Sequence, residues 1–169
     1  MNSIPTKLIT TLFAGAMLTA ATSVTAADAL SHFEPAAITK AERALDRGLT
    51  SQALDILNKA EATASQPRDR AEVYGLRCEA HLERGDALAA INACQAAIET
   101  RGGVASWRFH NNLGVAHLML GDTTLAETAF RIARTLNPRE TAPRRNLSLL
   151  ADLTVTGDAQ LGMVTPSRR

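Results

Sequence analysis

Residues 112–138 read NLGVAHLMLGDTTLAETAFRIARTLNP, and the order of small, large and turn-forming residues in this stretch decides the fold. Gly121 stands between two apolar segments and is followed by Asp122. A helix often ends at such a glycine, and an aspartate often caps the helix that follows. Ala126 and Ala133 are seven residues apart, so they share one face of the second helix. Small residues on one face let two helices approach closely, and the stretch therefore predicts a tight helical hairpin.

The same pattern occurs three times along the chain. Its glycines, Gly48, Gly85 and Gly121, lie 37 and 36 residues apart. A leucine precedes each glycine by three residues, a larger residue follows it by nine, and alanines follow it by five and by twelve. These positions are Leu45, Leu82 and Leu118; Leu57, Cys94 and Phe130; Ala53, Ala90 and Ala126; and Ala60, Ala97 and Ala133. Recurrence in register predicts an all-α domain of three stacked hairpins.

A seventh helix is expected after the third hairpin, from about Ala142 to Leu153. Asn146-Leu147 repeats Asn112-Leu113 at a spacing of 34 residues, and this helix would close the open end of the stack. The helical domain is thus predicted to span residues 34–153. Residues 154–169 contain two glycines and a proline without a sustained apolar period, and we expect a disordered tail there.

Composition limits the possible functions. The chain has 169 residues, 46% of them hydrophobic and 4% aromatic, which fits one helical domain and excludes a multidomain enzyme. The formal net charge is only +1, so the extended basic surface of a nucleic-acid-binding protein is absent. A nucleic-acid partner is therefore not expected.

Residues 1–26 are predicted to be an export signal. Lys7 precedes the uncharged run Leu8–Ala27, and Val24-Thr25-Ala26 supplies the small residues of a signal peptidase site. The apolar part is short for a membrane span, which needs about 20 apolar residues. Cleavage after Ala26 would leave a bacterial periplasmic protein without stable membrane insertion. An uncleaved membrane anchor is the alternative.

The three units resemble tetratricopeptide repeats, a family of 34-residue helix-turn-helix units. The third unit carries the family pattern at Asn112-Leu113-Gly114, His117, Gly121-Asp122, Ala126, Phe130, Ala133 and Asn137-Pro138; the second carries it at Tyr74, Cys78, Gly85-Asp86, Ala90, Ile91, Ala97 and Ile98. The first unit departs from the pattern, with Ala37, Lys40 and Ala44 at places where larger apolar residues are usual. Among exported bacterial members, residues 111–153 are similar to repeat proteins of Flp/Tad pilus assembly, although the lipid-attachment cysteine of many such proteins is missing.

The resemblance implies a short α-solenoid that binds a protein or peptide segment on a concave face lined by the first helix of each unit. The residues expected to face this groove are Arg108, Asn111, Asn112, Val115, Met119, Arg145, Asn146 and Leu149. Asparagine amides can bond to a peptide backbone and arginines can pair with a carboxylate, so an acidic or C-terminal peptide is the expected ligand. In the alternative interpretation, Asn112 and Asn146 bond between neighbouring helices and the arginines are solvated. The expected function is that of a non-catalytic adaptor in envelope, pilus or secretion assembly; a purely structural spacer is a further possibility.

The sequence gives little indication of catalysis. Zinc-protease, serine-hydrolase, phosphate-loop and dinucleotide motifs are absent, so neither enzymatic activity nor a cofactor or metal is expected. The histidines are interpreted as hydrogen-bonded core residues. The competing hypothesis is a thiol- or metal-dependent enzyme in which Cys78, His81, Cys94 and His117 supply the ligands or nucleophile.

Cys78 and Cys94 are predicted to form a disulfide. Cys78 lies seven residues before Gly85 and Cys94 lies nine after it. With a rise of about 1.5 Å per residue on two antiparallel helices, the two residues reach the same height. An oxidising compartment favours the bond between them. Two buried free thiols are the alternative.

Overall fold

The described part of the chain is entirely built of helices and their connections. A computed structural model describes residues 35–101, 103 and 106–156, and within these ranges there are seven α-helices and no strand. They are α1 (Pro35–Asp46), α2 (Thr50–Thr63), α3 (Pro67–Arg84), α4 (Ala87–Glu99), α5 (Trp107–Met119), α6 (Thr123–Leu136) and α7 (Ala142–Thr156). The all-α prediction is confirmed. The expected export signal, residues 1–26, lies outside the described residues.

Helix α7 extends further than the sequence indicated. It begins at Ala142 as expected but continues to Thr156, three residues past the expected end at Leu153. The rest of the expected tail, residues 157–169, lies outside the described residues.

Each hairpin turns at the predicted glycine. Gly48, Gly85 and Gly121 have φ values of 69°, 79° and 83°, and they are the only described residues with positive φ. The N–H of Gly85 donates to the carbonyl of Leu82 at 3.1 Å, and the N–H of Asp86 donates to that of His81 at 2.9 Å. Equivalent pairs of bonds close the other two turns. This is the Schellman arrangement, in which a left-handed glycine ends a helix and satisfies its last carbonyls.

The side chains of Asp86 and Asp122 do not cap the helices that follow them, in contrast to the prediction. Both stand at the N-cap position of the second helix, but neither side chain makes a capping hydrogen bond. Their carboxylates lie instead beside the histidine that precedes each turn, with Oδ2 at 3.6 Å from His81 Nδ1 and 3.8 Å from His117 Nδ1. Arg84 Nε also lies 3.2 Å from Asp86 Oδ2. The prediction of side-chain caps was wrong because these carboxylates face basic groups of the preceding helix.

The positions that recur in the sequence form the core. Each of the leucines, alanines and larger residues aligned on the three glycines is buried, with at most 7% exposure at Leu82. Large residues fill the space that small residues leave: the ring of Phe130 lies against Gly114, and the ring of Phe109 lies against Gly75. The second contact joins α5 of one unit to α3 of the unit before it.

The helices pack in chain order. Each helix packs on the next one, and the first helices α1, α3 and α5 also pack on one another in succession. The second helices α2, α4 and α6 are not among the closely packed pairs. Stacked hairpins are expected to give this pattern of contacts between helices. We call the surface formed by α1, α3, α5 and α7 the first-helix face.

The predicted disulfide is confirmed. Cys78 on α3 and Cys94 on α4 are bonded to each other, and their Cα atoms are 5.1 Å apart. Both residues are completely buried, so the bond lies inside the middle hairpin. Because the two sulfurs are joined, neither is a free thiol in this state.

Removal of this disulfide is expected to destabilise the protein. The bond closes a loop with a sequence separation of 16 residues, and a loop of that size is expected to stabilise by about 3 kcal/mol through the entropy of the unfolded chain. Cys78→Ala with Cys94→Ala should therefore lower the free energy of unfolding in urea by about that amount. The wild type measured with a reductant is the control, and a loss below about 1 kcal/mol in both cases would contradict the expectation.

Replacement of Gly114 by alanine is expected to destabilise the protein while Phe130 is present. A Cβ atom at residue 114 would lie 2.5 Å from Phe130 Cε1, so Gly114→Ala should lower the free energy of unfolding by about 1–3 kcal/mol through overpacking. In a Phe130→Leu background the same change should cost clearly less, because the ring is gone. Equal losses in the two backgrounds, measured by urea unfolding, would show that ring contact is not the cause.

Candidate functional site

Three of the predicted groove residues are buried amides that contact one another. Asn111, Asn112 and Asn146 are at most 2% exposed. Asn146 Nδ2 donates to Asn111 Oδ1 at 3.0 Å, and Asn111 Nδ2 donates to Asn112 Oδ1 at 3.5 Å. Buried polar groups require such partners. This amide row links α5 to α7, and in this arrangement a ligand does not reach its amides.

Two further predicted residues, Arg108 and Val115, also make contacts between helices. Arg108 Nη2 donates to the carboxylate of Glu72, at 3.2 Å from Oε2 and 3.4 Å from Oε1, and so joins α5 to α3. Its guanidinium carbon lies 5.7 Å from the centre of the Phe109 ring. Val115 is 4% exposed and belongs to the core cluster of the second and third units.

The other three predicted residues lie at the surface. Met119 and Leu149 are half-buried and Arg145 is exposed. No described residue forms an ion pair with Arg145. Arg145 and Leu149 are four residues apart on α7, so their side chains are neighbours on one face. The accessible part of the predicted site therefore consists of the exposed cation Arg145, its neighbour Leu149 on α7, and Met119 at the end of α5.

Among the residues that the structure describes, the cysteine and histidine side chains do not assemble into a metal site. Both sulfurs are used in the disulfide. Within the described ranges, no group of three or more histidine, cysteine, aspartate or glutamate side chains is placed to hold a metal ion. His81 and His117 lie largely inside the fold, each beside the aspartate that follows its turn.

An apolar groove on the opposite side of the hairpins was missed by sequence reasoning. It has a volume of about 320 Å³ and lies between α4 and α6, with α5 as its floor. We call it the outer groove, and its lining residues are Gln95, Ile98, Glu99, His110, Leu113, His117, Leu125, Thr128, Ala129 and Ile132. Leu125 and Ile132 are 51% and 40% exposed. Their seven-residue spacing on α6 was the available signal, because it forms a second apolar stripe beside the buried one.

A charged cluster joins the first and second units. Arg77 Nη2 on α3 donates to Glu61 Oε2 on α2 at 2.6 Å and to Asn58 Oδ1 at 3.0 Å. The hydrogen bond from Arg77 holds the pKa of Glu61 below its ordinary value. A hydrogen bond to Glu61 in turn raises the pKa of the Tyr74 hydroxyl. The cluster therefore favours the ionised carboxylate of Glu61 and the protonated phenol.

This cluster predicts a pH-dependent contribution to stability. Because the pKa of Glu61 is lowered by folding, its contribution is complete above the unfolded pKa of about 4.3 and is lost as pH falls through the lower folded value. Glu61→Gln should thus lower the free energy of unfolding more at pH 7 than at about pH 2.5. Glu127→Gln is the control, since Glu127 pairs with Arg131 at an exposed position and should show a smaller difference. An equal effect of Glu61→Gln at both pH values would contradict the expectation.

No helix in the described ranges is both long and apolar enough to cross a bilayer. Comparison of the sequence with protein-family models and with curated proteins finds no match.

Proposed function

We propose that the protein is a non-catalytic interaction module that binds a protein or peptide segment on its first-helix face. The observation that carries this proposal is the accessible set at the end of that face. Arg145 is exposed and has no ion-pair partner among the described residues, and Leu149 lies one turn further along α7. A cation beside apolar side chains suits an acidic segment or a C-terminal carboxylate.

The amide row makes this surface rigid. Asn146 of α7 donates a buried hydrogen bond to Asn111 of α5. This bond fixes the position of the neighbouring Arg145 backbone relative to α5. A surface that is already ordered loses little conformational entropy when a ligand binds. In this proposal Asn111, Asn112 and Asn146 support the site, whereas Arg145, Met119 and Leu149 contact the ligand.

The proposed setting is an oxidising compartment, the bacterial periplasm. The buried disulfide supports this setting, because such bonds persist in exported proteins and are rare in proteins of reducing compartments. The recurring hairpins and the chain-order packing support the tetratricopeptide-type solenoid. An adaptor in envelope, pilus or secretion assembly is the role that unites these properties.

Peptide selection from a displayed random library with free C-termini tests this proposal. The wild type should enrich acidic C-terminal sequences, and Arg145→Glu should weaken binding of a selected peptide by about tenfold or more, equivalent to 1.4 kcal/mol. Arg144→Glu is the matched control, because it makes the same charge change at an adjacent exposed position and should leave the affinity nearly unchanged. Fluorescence anisotropy measures both affinities, and circular dichroism checks that the helices persist.

Equal affinity of the wild type and Arg145→Glu for the selected peptides would place the binding surface elsewhere. Loss of affinity in both arginine variants would indicate a general charge effect rather than a site at Arg145.

A further inference from the structure

We propose that the outer groove is the docking site of the chain's own C-terminal segment, residues 157–169, through Leu161, Met163 and Val164. This inference goes beyond the proposed function, because the outer groove and the first-helix face are formed by different parts of the hairpins. Docking would cover apolar surface on α6 and leave the first-helix face for other partners.

The chemistry of the outer groove requires an apolar occupant. Ile98, Leu125 and Ile132 lie in its walls and Leu113 lies in its floor, and Glu99 is the only carboxylate in its lining. Covering apolar surface of this kind is favourable in water. The C-terminal segment has the matching composition, since its apolar residues lie together and Arg168 and Arg169 follow them.

The position of Thr156 places this segment at one end of the groove. Helices α6 and α7 pack on each other and are joined by a short connection, residues 137–141, so they are antiparallel neighbours. They have similar lengths, 14 and 15 residues. The end of α7 at Thr156 therefore lies beside the start of α6, where Leu125 begins the apolar wall.

The lengths of the segment and the groove agree. Residues 157–160 can span about 13 Å when extended, which is comparable with the diameter of about 10–12 Å of the helix that they must cross. Leu161 then reaches Leu125. From residue 161 to residue 164 an extended chain covers about 10 Å, which equals the rise from Leu125 to Ile132 along α6. Arg168 and Arg169 follow within five residues of Val164, within reach of Glu99 at that end of the groove.

Cysteine crosslinking in the full chain tests this proposal. The pair Leu125→Cys with Met163→Cys is treated with a short bismaleimide while the Cys78–Cys94 bond is intact, and crosslinked peptides are measured by mass spectrometry. Leu120→Cys with Met163→Cys is the matched control, because Leu120 is 45% exposed, lies five residues from Leu125 and is not in the groove lining. If the segment does not dock, residue 163 has a similar effective concentration near residue 120 and near residue 125, so the two crosslink yields should be similar.

The expected result is a crosslink within one chain whose yield at residue 125 exceeds that at residue 120 by about tenfold and does not depend on protein concentration. Hydrogen exchange gives a second measurement: Ile132→Lys should accelerate exchange of the amides of residues 161–164, and Leu120→Lys should not. Similar crosslink yields at residues 120 and 125 would overturn the proposal. Crosslinks that join two chains would also overturn it and would assign the groove to a second copy. Neither result depends on Arg145, so failure here is distinguishable from failure of the proposed function.

Discussion

The left-handed glycine turn is the constraint on which the rest of the structure depends. Gly48, Gly85 and Gly121 adopt φ values between 69° and 83°, a conformation that costs other L-residues roughly 1 kcal/mol or more. The turn reverses the chain with a fixed number of residues, so it determines which residues of the two helices reach equal heights. The buried alanines and the Cys78–Cys94 bond both follow from that register. A turn one residue longer would rotate the second helix by about 100° and break each of these contacts.

The turn also explains why the aspartates do not cap. A capping aspartate usually has an extended backbone, but after the glycine turn Asp86 has φ −83° and ψ 68° and Asp122 has φ −79° and ψ 70°. Each carboxylate then lies near the histidine of that same helix, at 3.6 Å and 3.8 Å in the second and third units. The first unit has Ala44 and Leu49 at the equivalent places, so its turn has the same backbone bonds without the charged side chains.

Sequence reasoning predicted the features that depend on a single hairpin, and it left two interpretations open for residues whose contacts come from a neighbouring unit. The glycine turns, the buried alanines and the disulfide depend on register within a single unit, which the spacing of residues contains. The contacts of Asn111 include α7, because its amide oxygen accepts a hydrogen bond from Asn146 on that helix. Arg108 is likewise held by Glu72 of the unit before it. For such residues the sequence left two interpretations open, since an asparagine or arginine at the same helical position suits a ligand and an adjacent helix equally well.

The outer groove was not predicted for a related reason. It forms because of the way in which neighbouring hairpins pack on one another. The rings of Phe109 and Phe130 lie against glycines, and α1, α3 and α5 pack closely in succession. The second helices do not pack on one another in this way, so a space opens between α4 and α6 above α5. Leu125 and Ile132 would be ordinary core residues if another helix filled that space. Polar groups such as the amide row are buried where α7 meets α5, whereas the separation of α4 and α6 leaves Leu125 and Ile132 exposed on the other side. The two faces therefore differ in chemistry because the same stacking brings one set of helices together and separates the other.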